Sequence, residues 1–135
     1  MTTPGYSGKS LSDKIGIKAS MRGAVVRGPK ELSKWLAPMP TGAKLVGARA
    51  KHVACVMVFV AKSGELIRDI AGVLGRLDEG GKCWICWPKK SSGVVTGITE
   101  TLLREVVLPT GWVDVKVCAV SEIWSGLKFL RRRAR

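Results

Sequence analysis

Two hydrophobic periods organise the chain. Val53 to Val60 is apolar at nearly every position and rich in β-branched residues, as a strand covered by helices on both faces must be. Ser63 then reads as an N-cap. Leu66, Ile67, Ile70, Ala71, Val73, Leu74 and Leu77 recur at helical spacing after it, leaving Arg68, Asp69 and Arg76 outside. Asp78-Glu79-Gly80-Gly81 predicts a turn. The short apolar run Lys82 to Trp87 that follows is bounded by turn signals and predicts a buried central strand, leaving through Pro88 into Lys89-Lys90-Ser91-Ser92-Gly93.

The flanking segments extend this alternation. A lead-in, residues 1–18, holds at most a short helix near Ser12 to Ile15. Met21 to Val26 predicts a strand, Gly28-Pro29 opens a short helix through Glu31, Leu32, Trp35 and Leu36, and Pro38 and Pro40 end it. Lys44 to Gly47 is a weak second strand. Thr99 reads as an N-cap, with Glu100 in the first turn, Ile98 and Leu103 as a hydrophobic staple, and Leu102, Val106 and Val107 as the buried stripe; Pro109 and Gly111 stop that helix. Trp112 to Val120 alternates, with Val113, Val115, Val117 and Ala119 on one face. Ser121-Glu122 turns the chain into Ile123 to Leu130, as an antiparallel pair at the sheet edge. Strands alternating with helices predict one α/β domain over residues 1–135, with a mostly parallel sheet and an antiparallel C-terminal hairpin. The layout resembles a Rossmann-like, shortened methyltransferase-like core.

Composition changes the picture in one respect. The chain has 135 residues, 46% of them apolar, enough for one real core. Against 10 acidic side chains stand 23 Lys and Arg, a net charge of +13, dense enough to attract polyanions at a distance. Both ends are basic, and the tail over residues 131–135 carries Arg131, Arg132, Arg133 and Arg135. No signal-peptide pattern follows Met1, and the longest apolar run, Val53 to Ala61, is too short to cross a bilayer as a helix, so a cytoplasmic protein is expected. Cys55, Cys83, Cys86 and Cys118 all fall in predicted strands and read as reduced core residues.

Gly5-Tyr-Ser-Gly-Lys-Ser-Leu, Trp87-Pro-Lys-Lys-Ser-Ser-Gly-Val, Val113-Asp-Val-Lys-Val-Cys-Ala-Val and Trp124-Ser-Gly-Leu-Lys-Phe-Leu-Arg resemble the signatures of a small bacterial family, number three-zero-five-two among the domains of unknown function. The similarity spans nearly the whole chain and is strongest from Cys83 onward. Between Ala19 and Lys51 it is looser, and the first-strand exit Arg27-Gly-Pro-Lys-Glu departs from it. The resemblance implies a single α/β domain in a bacterial cytoplasm and carries no activity with it.

The chemistry-bearing residues each have two readings. The first-strand exit lacks Gly-x-Gly-x-x-Gly, and Arg49 stands where an acid would take a ribose hydroxyl, which argues against a dinucleotide or S-adenosylmethionine site. Cys83 and Cys86 point to opposite faces of one strand and cannot grip one metal ion; no metal and no cofactor are expected. His52 has no carboxylate near it in sequence and reads as a surface histidine rather than a general base. Trp35, Trp84, Trp87, Trp112 and Trp124 favour core packing over stacking on nucleic acid. Lys89, Lys90, Ser91, Ser92 and Gly93 form the best local candidate, an anion-binding loop at a strand exit, against the reading of a solvated basic turn. These observations lead to an expectation of a non-enzymatic basic module for an anionic partner, nucleic acid first, with the arginine tail as its contact. The alternative is a small enzyme acting on a phosphorylated or carboxylated metabolite in the same crevice.

Overall fold

A computed structural model describes residues 10–132. Residues 5–9 of the first sequence motif, together with Arg133 and Arg135 of the tail, lie outside that range. Ten regular elements follow one another: α1 (Leu11–Ile15), β1 (Arg22–Val26), α2 (Leu32–Leu36), β2 (Lys44–Val46), β3 (Val53–Phe59), α3 (Ser63–Leu74), β4 (Leu77–Pro88), α4 (Glu100–Val107), β5 (Trp112–Ala119) and β6 (Trp124–Arg131). They build one six-stranded sheet in the order β2-β1-β3-β4-β6-β5. The first four strands in that order are parallel, and β6 runs antiparallel to both β4 and β5. The expected α/β, Rossmann-like sheet with its C-terminal hairpin is therefore what the chain forms.

The sheet has a core on each face because β3 and β4 are apolar on both sides. Cys55, Met57 and Phe59 of β3 join Trp84 and Cys86 of β4 under Leu11, Ile15, Leu32 and Leu36 from α1 and α2. On the other face Val56, Val58, Cys83, Ile85 and Trp87 pack against Leu66, Ile70, Val73, Leu103 and Val107 from α3 and α4. Cys83 and Cys86 thus sit in different cores. Desolvation pushes the thiols of Cys55, Cys83 and Cys86 up, that of Cys55 to about 12, so all three are inert neutral groups. Trp84 is fully buried, and its indole Nε1–H donates to Ile15 O at 2.9 Å; Lys82 Nζ donates to Gly16 O at 3.1 Å. The lead-in is thereby fastened to the central strand.

Several local expectations are corrected. Asp78 to Gly81 is strand: β4 starts at Leu77, pairs with Val53, and accommodates a bulge before Lys82 meets Cys55. Gly80, at φ 78°, supplies the backbone that the bulge needs. Residue 62 is the N-cap of α3, one before Ser63. Glu65 supplies the missing cap from inside the helix, its Oε1 accepting from Ala61 N–H at 3.0 Å and Lys62 N–H at 3.1 Å. Ile67 and Ala71 face solvent, whereas Asp69, placed outside by its polarity, is half-buried. Leu103 with Val107 carries the buried stripe of α4, Leu102 and Val106 only flanking it. β5 is an edge strand with a register shift between Asp114 and Lys116, and Val115 and Val117 are about half exposed.

Candidate functional site

In an open α/β sheet ligands bind beyond the carboxyl ends of the strands, at the point where the strand order reverses. Here that point lies between β1 and β3, because the chain leaves β1 toward β2 on one side and β3 toward β4 on the other. Arg27 is the first residue past β1. It holds φ 55°, in the left-handed region. Its Nε donates to Phe59 O at 3.0 Å and lies 3.8 Å from Glu65 Oε2, and its Nη2 pairs with Asp69 Oδ2. That contact is ionic: no hydrogen bond of regular geometry reaches this buried oxygen. Gly28, next in line, is there for packing: a Cβ on it would collide with Val25 and press on Leu32. After β2 come Gly47 and Ala48, then Arg49, with no carboxylate to meet a ribose.

Beyond β4 the rim is open. A groove of about 520 Å³ is lined by Trp87, Lys90, Val94, Thr96, Ile98 and Glu100, among others. Its floor is apolar and its edge charged. Lys90–Ser92 forms a single 3₁₀ turn closed by Gly93 at φ 79°. Of the five loop residues singled out in sequence, Lys90 and Gly93 line the groove. Lys89 is held by its backbone N–H to Ile123 O at 2.7 Å. Ser92 spends its hydroxyl on the turn itself, donating to Lys89 O at 2.6 Å and accepting from Val94 N–H at 3.2 Å. Ser91 is exposed. The Thr96 hydroxyl donates to Ala61 O at 2.6 Å, which ties the groove loop to the β3 exit. Thr99 caps α4, accepting from Leu102 N–H at 3.1 Å as expected. Glu100 reaches Arg104 at 3.5 Å, and Arg104 in turn binds Asp114 at 2.9 Å; the guanidinium holds the Asp114 carboxyl below the usual range.

Other candidates lie elsewhere. His52 does find a carboxylate, Asp78 at 3.3 Å, which sequence proximity could not reveal; both side chains are exposed, at the amino-terminal end of the sheet, away from the crevice. Trp112 and Trp84 are core residues, Trp87 is buried but for its groove edge, and Trp124 packs edge-on against Phe59 at 5.0 Å. Arg131 lies over the Trp112 ring at 5.3 Å, and Arg132 N–H donates to Gly111 O at 2.7 Å, so the first two tail arginines are bound up with β5 and its approach. Among the described residues no group of three or more His, Cys, Asp and Glu side chains could hold a metal ion, and no helix is long and apolar enough to cross a membrane.

No protein-family model matches the chain, and no curated protein matches it. Solved structures do. An S-adenosylmethionine-dependent methyltransferase from Clostridium acetobutylicum ATCC 824 shares 9% identity with a TM-score of 0.62, over 95% of this chain and 93% of that one. N-methyltransferase NodS from Bradyrhizobium japonicum WM9 shares 15%, TM-score 0.57, over 91% of each. Magnesium protoporphyrin IX methyltransferase from Synechocystis PCC 6803, solved with bound S-adenosylmethionine, shares 12%, TM-score 0.61, over 90% of this chain and 74% of that one. At such identities the likeness establishes the fold. It corrects the expectation of a non-enzymatic basic module for anions or nucleic acid, since the structures that share this architecture over most of its length are consistently enzymes.

The methyl donor itself does not fit the residues at the switch point. Its place between β1 and β3 holds the Arg27 side chain, the turn beneath is not glycine-rich, and the β2 exit brings Arg49 where a ribose carboxylate would stand.

Proposed function

We propose that the chain is a small enzyme on the methyltransferase architecture that takes a small amphipathic substrate in the groove beyond β4 and uses no S-adenosylmethionine at the switch point. One observation carries this reading: the groove is the roomy hollow at the ligand-bearing end of the sheet, while the usual crevice is filled. Trp87, Val94 and Ile98 supply an apolar bed, and Lys90 and Glu100 supply opposite charges at its edge. Such a division, apolar lining with few polar groups, is what orients a small ligand. The likeness to methyltransferases supports an enzyme by analogy of fold. The sequence blocks around Trp87 and Val113 support membership in the family of unknown function named above, and a cytoplasmic setting with it.

The test is a thermal-shift screen of metabolites on the full chain, followed by mass spectrometry of each stabilising compound after incubation. The reading expects compounds that raise the melting temperature, lose that effect in Lys90→Ala and Val94→Asp, and emerge chemically changed. Compounds that bind equally to both variants, or that bind and are never altered, overturn it.

A further inference from the structure

The switch-point crevice is filled from within, and its lining is specific for what fills it. We infer that Glu65, Asp69 and the Phe59 carbonyl form a guanidinium site whose resident is Arg27, and that this internal ligand closes the position where the fold ordinarily seats a nucleotide or methyl donor.

Three observations meet here. A non-glycine residue at φ 55° is unusual, and such strain persists only where surrounding contacts hold it. The contacts are those a planar fork requires: a carbonyl accepting from Nε at 3.0 Å, one carboxylate beside Nε and another at Nη2. Glu65 and Asp69 stand four apart on α3, so one helix face delivers both charges to the same place. The Glu65 carboxyl is held below its ordinary range first by the Ala61 N–H, so it stays ionised and available to Arg27. Asp69 Oδ2 is buried with no regular hydrogen bond of its own, and removing the Arg27 guanidinium would leave that oxygen without its cation, the remaining contact of Arg68 Nε reaching only Oδ1 at 3.5 Å. The site binds a cation and therefore differs in chemistry from the open groove; it shares with the proposed function only the closed switch point, so the melting arm below tests this site alone and the titration arm bears on both.

The experiment has two arms on the full chain. In the first, Arg27→Ala is compared with the parent by thermal melting, with and without ethylguanidinium or ethylammonium chloride at matched ionic strength. The expected result is a clear drop in midpoint for Arg27→Ala, more than half restored by ethylguanidinium and much less by ethylammonium, with neither salt raising the parent. No drop, or equal restoration by the two cations, overturns the inference. Should Arg27→Ala not fold, Arg27→Lys serves in its place: it keeps the charge and loses the fork, and a midpoint equal to that of the parent overturns the guanidinium site. In the second arm, S-adenosylmethionine and S-adenosylhomocysteine are titrated into the parent protein by calorimetry. No saturable heat at millimolar ligand is expected. Micromolar binding that protects the amides of residues 27, 28, 30 and 60–69 from hydrogen exchange overturns the closure.

Discussion

The two hollows at the carboxyl end of the sheet are built from similar materials and behave oppositely. Between β1 and β3 a basic side chain turns inward and meets two carboxylates and a carbonyl, so the crevice is satisfied by its own sequence. Beyond β4 a basic side chain, Lys90, stands at the rim of open space beside the exposed Ser91, while the hydroxyls of Ser92 and Thr99 are already spent on the turn and on α4. Position within a fold says where a ligand could sit; whether it does depends on whether the chain has already supplied the partner.

The largest expected effect is at the wall the groove shares with the core. Trp87→Ala should cost about 3–5 kcal/mol of unfolding free energy in urea titration, because nearly all of the indole is buried under α3 and α4; a loss under about 1 kcal/mol would make Trp87 a surface residue and break the contrast. Gly28→Ala should cost about 1–3 kcal/mol, since the added methyl runs into Val25 beside the closed crevice. A neutral result there would mean that the β1 exit has slack that the crevice is argued not to have.

Acid should act on the closed crevice. The depressed Glu65 carboxyl contributes stability that is fully present above the ordinary carboxylate range and is lost as pH falls through its lowered folded value. Denaturation midpoints should therefore decline on acidification, and Glu65→Gln should show a shallower decline than the parent; parallel curves would remove Glu65 from the account. The smallest effect belongs to the open rim: Lys90→Ala should move stability by less than about 0.5 kcal/mol while abolishing ligand stabilisation.

Much of this architecture was legible because its signals are local. β3 announces itself by apolar residues on both faces, and Thr99 by its hydroxyl ahead of Glu100; both stand where the pattern put them. Gly80-Gly81 misled because glycine pairs signal turns, and only pairing with β3 shows that the strand runs through them on a bulge. The alternating valines of β5 implied a covered face, but among the described residues this edge strand leaves Val115 and Val117 about half exposed. The closed crevice was the least visible part, since Arg27 finds its carboxylates on a helix far along the chain. One clue was present: Glu65 and Asp69 share a helix face one turn apart, and one of them had been assigned to solvent on polarity alone. The groove was visible in outline from the β4 exit loop, but not that Ser92 would be consumed by its own turn.

The lead-in segment is more than an approach to the fold. Because Ile15 O receives the Trp84 indole proton and Gly16 O the Lys82 ammonium, the first short helix serves as a stopper over the middle of the sheet. Proteolysis ahead of β1 would uncork the apolar face formed by Met57, Phe59, Trp84 and Cys86, and the trimmed product should clump rather than circulate as monomer.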